Sequence, residues 1–171
     1  MSGYCEWQSL LDDAATRNEP PFLLLLDGLE DPRNFGAILR TAEAAGVHGV
    51  IIPKRRSVRL NETVLRTSTG AAELVPVAQA ANLNEVIKRL KKEAVWVAGL
   101  EADGSQDYRA GDYTGGIALV IGGEGNGLSR LTRELCDFVV RIPLRGRITS
   151  LNASVAAALL MYEVVRQRDT R

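Results

Sequence analysis

The sequence predicts an α/β domain in which a mostly parallel sheet is flanked by helices on both faces. Three observations carry this. Apolar runs of strand length recur, "FLLLLD" (22–27), "GVIIP" (49–53) and "IALVIG" (117–122). They lack the polar alternation of a half-exposed strand, which marks strands covered on both sides. Capped helical segments alternate with these runs, as βαβ units require. The chain has 171 residues, 46% hydrophobic and 25% charged, enough for one ordinary globular core.

Taken in order, residues 5–17, "CEWQSLLDDAATR", read as a short amphipathic helix broken by "NEPP". The first buried strand follows, and then "NFGAILRTAEAAG", where Asn34 is placed to cap a helix and Gly46 to end it. After the second strand comes a basic loop, "KRRSVRL", and Asn61 opens a short helix running to Gly70. "LVPV" (74–77) predicts a third strand, with Pro76 marking it as an edge or an end. Asn82 with Glu85 makes a capping box for the helix "LNEVIKRLKKE". "VWVAGL" (95–100) and "IALVIG" are strands separated by the polar stretch "EADGSQDYRAGDYTGG". "LSRLTRELC" predicts a helix, "FVVRIP" (138–143) the last strand, and Leu151 to Arg168 the last helix.

Composition excludes several functions. Basic and acidic residues balance at 21 each, so any nucleic-acid contact must rest on local patches. Only Cys5 and Cys136 are present, too few for a disulfide framework, which suits a reducing cytoplasm. His48 is the single histidine and no cysteine cluster exists, so no metal site is expected. His48 itself reads as a surface residue. The longest apolar run falls far short of the ~20 residues of a membrane span, and no signal sequence begins the chain. A soluble, cytoplasmic domain without membrane contact is expected.

Ligands of open parallel sheets sit at the carboxyl ends of the strands, and three loops there carry unusual chemistry. The first follows Asp27 and leads to Asn34, Arg40 and Glu43. Asn34 and Arg40 lie under two helical turns apart, so both could face one side. The bland readings are an N-cap and a solvated arginine. The second is "ALVIGGEGNGLS", whose glycines around Glu124 and Asn126 let a ligand approach the backbone. It is not a dinucleotide fingerprint, because the third glycine is Gly127 where position 128 is required. The alternative is a tight turn with Glu124 in solvent. The third loop, "IPLRGRITSLNAS", sets polar residues at the start of an apolar helix. Ser150 lacks the flanking glycines of a hydrolase elbow, and the bland account makes it a helix cap.

Together these loops resemble the three motifs of the SpoU-type (TrmH-like) branch of the SPOUT RNA methyltransferases. They appear as "NFGAILRTAEAAGV", "VIGGEGNGLS" and "IPLRGRITSLNASVAAALLMYE", in the family's order, over about Phe22 to Arg168. The segment "LDGLEDPRNFGAILRTAEAAGV" looks closest to the 23S ribosomal RNA guanosine 2′-O-methyltransferases, with the tRNA 2′-O-methyltransferases as the alternative. The resemblance implies a SPOUT-type sheet with a deep C-terminal trefoil knot, although chain-topology rules argue against knots. It also implies S-adenosylmethionine as cofactor, a homodimer, and methyl transfer to a ribose 2′-oxygen of RNA. Residues 1–20 would be a linker or short helix, and 21–171 the catalytic domain. Many ribosomal RNA members carry a small RNA-binding domain before this region, where the present chain has only residues 1–20.

Carried over by motif, the active-site positions are Asn34, Arg40, Glu124, Ser150 and Asn152. Leu100, Gly122, Gly123, Ile142, Leu144, Leu151 and Asn152 would hold the cofactor. Arginine stays charged to a pKa above ~12, so Arg40 suits stabilising an oxyanion better than accepting a proton. Glu124 and Asn34 would orient Arg40. RNA docking is expected on Lys54, Arg55, Arg56 and Arg59 in one loop and Arg145 and Arg147 in another. The last helix, "VAAALLMYEVV", is apolar almost all round, as a helix buried against both sheet and partner would be. Two other classes compete: a nucleotide-binding oxidoreductase, and a catalytically silent RNA-binding protein.

Overall fold

The computed structural model describes residues 3–170. Its strands are β1 (Phe22–Asp27), β2 (Gly49–Pro53), β3 (Val77–Ala80), β4 (Trp96–Leu100), β5 (Gln106–Asp107), β6 (Ile117–Gly122) and β7 (Phe138–Arg141). Its helices are α1 (Gln8–Thr16), α2 (Pro32–Ala45), α3 (Glu62–Thr67), α4 (Leu83–Lys92), α5 (Arg130–Leu135) and α6 (Ala153–Asp169). The seven strands form one sheet in the order β3-β2-β1-β6-β4-β7-β5, parallel at every pairing.

β1 lies inside the sheet next to the central β6, paired with β6 along its whole length and with β2 on its other side. Its alternate residues feed two cores, which is why the run is apolar throughout. Phe22, Leu24 and Leu26 pack with Ile38 and Leu39 of α2 and Leu160 and Met161 of α6. Leu23 and Leu25 pack with Leu10 of α1 and Val86, Ile87 and Leu90 of α4. Each buried leucine contributes about 1.5–3 kcal/mol relative to exposure, so β1 anchors both layers.

Several boundaries depart from the sequence reading. Asp31, not Asn34, caps α2: its Oδ1 accepts the amide of Arg33 at 2.8 Å, and Pro32 occupies the first turn. Proline fits there because its missing N–H would be unpaired anyway. Gly46 ends the helix at φ 80°, as expected. Asn61 caps α3, but the helix stops at Thr67 and a 3₁₀ turn fills 71–73. β3 runs over 77–80 rather than 74–77, because Pro76 precedes the strand. Asn82 caps α4, yet Glu85 turns to Lys88 (3.2 Å) instead of closing a capping box. β7 ends at Arg141, two residues early, and α6 begins at Ala153 under an Asn152 cap, so Ser150 is not its cap.

The polar stretch after β4 holds the largest surprise. It contains β5, two residues long, separated from β4 by β7. Leu100 and Gln106 both flank Val140, so residues 101–105 cross directly over β7. Gly104 makes the crossing possible: a Cβ there would lie 2.4 Å from the carbonyl carbon and oxygen of Val140. Glu101 N donates to Val140 O (3.0 Å), and an Arg141 guanidinium nitrogen donates to Gly104 O (2.9 Å).

His48 is buried, at 2% exposure, not superficial. Its Nδ1 accepts the Phe22 amide at 3.0 Å and its Nε2 meets Glu19 at 3.0 Å. That satisfies both ring nitrogens at the amino ends of β1 and β2, opposite the loops of interest. Among the described residues no helix is long and apolar enough to cross a membrane.

Candidate functional site

The loops after β4, β6 and β7 converge with the start of α6 around one cavity of about 610 Å³. The glycine-rich loop forms one wall. After β6 the chain turns back on itself, with Gly127 N donating to Gly123 O at 3.3 Å. Gly125 and Gly127 adopt φ of 80° and 66°, the left-handed region that glycine enters without steric cost. The loop is held from two sides: Asp27 Oδ2 accepts the Ser129 amide (2.9 Å) and Glu101 Oε1 accepts the Leu128 amide (3.0 Å). A Cβ on Gly122 would lie 2.2 Å from the Gly127 carbonyl carbon, and one on Gly123 would lie 2.3 Å from Gly28 O. The cradle therefore depends on backbones packed without side chains between them.

The opposite wall comes from the segment after β7 and from α6. Ile142, Leu144 and Leu151 supply apolar surface, and Ser150 and Asn152 supply polar groups at its rim. Asn152 Oδ1 accepts the amides of Ser154 (2.9 Å) and Val155 (3.3 Å). Its oxygen caps the helix, leaving the carboxamide nitrogen for the cavity. A helix N-terminus carries partial positive charge and suits a carboxylate or phosphate.

Each residue expected to hold a cofactor lines this cavity: Leu100, Gly122, Gly123, Ile142, Leu144, Leu151 and Asn152. Glu124 and Ser150 line it too. Asn34, 8% exposed, sits behind Glu124 and donates from Nδ2 to its Oε1 at 3.0 Å. Arg40 does not join them. It is exposed on α2 and forms no hydrogen bond or ion pair among the described residues. The expected Arg40–Glu124 pairing is thus absent. Six residues at ~100° each leave Asn34 and Arg40 roughly 120° apart around the helix, so they do not share a side.

Sequence reasoning missed Glu101, which lies just beyond Leu100 and both lines the cavity and holds its glycine loop. Its place one residue past a strand's carboxyl end was the available signal. Among the described residues, Glu101 and Glu124 are the charged side chains lining the cavity, and no lysine or arginine lines it.

The basic residues stand on either side. Lys54, Arg55, Arg56 and Arg59 are exposed in the loop after β2, and Arg145 and Arg147 in the segment after β7. None forms an ion pair among the described residues. The order of the sheet places β1, β6 and β4 between those loops. Four strand spacings of about 4.8 Å separate β2 and β7, the strands from which these loops start, by about 19 Å.

A second groove of about 430 Å³ lies on the outer face of α2 and α6, lined by Ala37, Thr41, Val155, Ala158, Leu159 and Tyr162 among others. Val155, Leu159 and Tyr162 are 48%, 39% and 46% exposed. Their spacing of four and three residues sets them on one stripe, while Ala157, Leu160, Met161 and Val164 face the core. The helix is apolar on both sides, as expected, with one side uncovered.

Comparison with known proteins agrees with this architecture. YacO of Bacillus subtilis, assigned by name to the TrmH family of tRNA/rRNA methyltransferases, is 51% identical over 166 residues, covering 97% of this chain and 67% of that protein. The SpoU methyltransferase AviRb of Streptomyces viridochromogenes, solved with AdoMet, superposes with a TM-score of 0.83 at 33% identity, covering 90% of this chain and 62% of that one. An RNA 2′-O ribose methyltransferase superposes with a TM-score of 0.79 at 31% identity, covering 98% of this chain and 60% of that one. The chain therefore spans less than two thirds of the length of these solved relatives. Residues 21–162 match the model of the SpoU rRNA Methylase family. Every residue that lines the cavity falls within that match, and the chain belongs to the SpoU rRNA Methylase family.

Proposed function

We propose that this chain transfers a methyl group from S-adenosylmethionine to a ribose 2′-oxygen of RNA. The observation that carries this is the cavity itself: apolar walls, a glycine cradle and a helix N-terminus meet between two unpaired basic loops. A volume near 610 Å³ falls within the ~300–1,000 Å³ of small-molecule sites. Backbone amides and a helix end suit an amino-acid carboxylate, and the apolar residues Ile142, Leu144 and Leu151 suit a base and a thioether chain. The bound cofactor supplies an electrophilic methyl on a sulfonium.

The protein's part is alignment and charge. Glu124, fixed by Asn34, sets one side of the reaction space and Ser150 with Asn152 the other. A near-attack arrangement of this kind removes much of the entropic barrier. Arg40, which lies outside this chain's own cavity, would stabilise negative charge gathering on the ribose oxygen at the cavity of a second copy, as the proton leaves to solvent or to a phosphate. Because Arg40 shares α2 with Ala37 and Thr41 of the uncovered groove, a second copy seated on that groove would lie beside it. We therefore take the active form to be a homodimer closed through α2 and α6.

Residues 21–171 form the catalytic unit on this reading, and the crossing of 101–105 over β7 supports the trefoil knot implied by the family resemblance. RNA would lie across the rim, with phosphates on Lys54, Arg55, Arg56 and Arg59 at one side and on Arg145 and Arg147 at the other. We favour ribosomal RNA, with a 23S guanosine as target, on the likeness of residues 26–47; tRNA is the alternative. The free thiols of Cys5 and Cys136 suit the cytoplasm.

The test is calorimetric titration with S-adenosylmethionine and, separately, NADH, followed by turnover of an Arg40→Ala variant. Binding of the first alone, with turnover lost and affinity kept in the variant, is expected. Binding of NADH in its place would establish the oxidoreductase alternative. Equal loss of affinity and turnover would remove Arg40 from its assigned role.

A further inference from the structure

We propose that Glu101 reads the charge of the cofactor, holding the cationic sulfonium form in preference to the uncharged thioether product. This rests on the reading that the cavity takes S-adenosylmethionine. Substrate and product of that reaction share the adenosine, the ammonium and the carboxylate, and differ by one methyl and one positive charge at sulfur. Shape can act only on the single methyl, a difference worth about 10-fold to 200-fold. A fixed carboxylate in a partly desolvated wall adds a term sensitive to the charge.

Glu101 has the required properties and Glu124 does not. The Glu101 side chain is 13% exposed, whereas Glu124 is exposed and solvent-screened and shares its Oε1 with Asn34. Glu101 is also immobilised. Its Oε1 accepts the Leu128 amide at 3.0 Å, and its Oε2 lies against Gly127, where a Cβ would come within 2.3 Å. Only glycine at 127 leaves room for that carboxylate between the end of β4 and the glycine loop.

The basic group beside it is shared with a second carboxylate. Arg133 approaches Glu101 Oε1 at 3.6 Å but binds Asp103 Oδ1 more closely, at 2.6 Å. That arginine holds the Asp103 carboxyl below its usual range, so Asp103 stays ionised. Two carboxylates share one guanidinium, and the net negative charge sits at the end that lines the cavity. Arg133 is not among the residues that line the cavity.

The experiment compares three ligands by calorimetry on the wild type, Glu101→Gln and Glu101→Asp. The ligands are S-adenosylmethionine, S-adenosylhomocysteine, and sinefungin, which carries a protonated amine in place of the methyl sulfonium. Glutamine keeps the volume and an oxygen to accept the Leu128 amide, so only the charge is removed. Glu101→Gln is expected to bind S-adenosylmethionine and sinefungin about tenfold more weakly, about 1.4 kcal/mol, and S-adenosylhomocysteine within about twofold of wild type. Glu101→Asp, which keeps the charge but shortens its reach to Leu128, is expected to retain the preference while weakening all three. Equal weakening of all three ligands in Glu101→Gln would overturn the proposal, because Glu101 would then meet the shared ammonium or merely shape the loop. An unchanged ratio with unchanged affinities would overturn it as well. Failure of the wild type to bind any of the three would instead sink the cofactor reading beneath it.

Discussion

Replacing Gly104 with alanine tests the chain crossing that builds one wall of the site. The added Cβ would sit 2.4 Å from the carbonyl carbon and oxygen of Val140 and 2.9 Å from the Arg141 amide. Ordinary carbon contacts lie at about 3.5–4.0 Å, so backbone must move by roughly 1 Å. β7 is paired on both sides and resists displacement, so the shift falls on the crossing segment and the edge strand β5. Overpacking of this kind costs about 1–3 kcal/mol. Separation also stretches the hydrogen bonds from Glu101 N to Val140 O and from Arg141 to Gly104 O, each worth about 0.5–1.5 kcal/mol. Alanine recovers about 0.4–1 kcal/mol by restricting the unfolded chain. The net expectation is a loss of about 3 kcal/mol, a large share of the ~5–15 kcal/mol of a typical domain. Equilibrium urea denaturation reads it as a lower midpoint at unchanged slope. Gly115→Ala is the control, since nothing lies within 4 Å of its added Cβ, and its midpoint should stay put or rise slightly. Equal midpoints for the two variants would show that residues 101–105 do not lie on β7.

Further consequences can be measured in the same protein. Asn34→Ala removes a bond to a carboxylate worth about 1.5–3 kcal/mol; turnover should fall about tenfold or more while the S-adenosylmethionine Kd from calorimetry stays within about twofold. Leu159→Glu places a charge in the uncovered groove and should raise the dimer dissociation constant about thirtyfold or more, the scale of a ~2 kcal/mol interface anchor, as read by sedimentation. The Glu163 carboxyl is held below its usual range by the Arg166 guanidinium, with Gln167 adding a bond at 2.8 Å. A depressed carboxylate stabilises the fold above the unfolded value of ~4.3 and loses that contribution as pH falls through the folded value. Thermal melts from pH 5 down to pH 2.5 should therefore fall less steeply for Glu163→Gln than for wild type.

What the sequence made legible follows from where each signal is local. β1 and β6 were readable because burial on both faces forbids polar residues along their length. β5 was not, since Gln106 and Asp107 carry no apolar signal and are a strand only because β7 runs beside them. β3 slipped by three residues because "LVPV" is more apolar than "VAQA", although Pro76 already marked the boundary. Asp31–Pro32 is the stronger cap signal for α2, and Asn34 instead faces Glu124, 90 residues away in the chain. His48 looked superficial because its partners, Glu19 and Phe22, are distant in sequence. The cavity residues were legible as loops after strands, and the family resemblance supplied their grouping. The disposition of Arg40 needed the helix phase in three dimensions.

The most direct test of the central claim is the chemical position of the transferred methyl. The chain would be incubated with methyl-labelled S-adenosylmethionine and with ribosomal or transfer RNA, and the RNA then hydrolysed in alkali. A 2′-O-methyl group removes the hydroxyl that attacks the adjacent phosphodiester, so ribose-methylated positions survive as dinucleotides. The account predicts label in alkali-stable dinucleotides. Label recovered in mononucleotides, on a base, would contradict it.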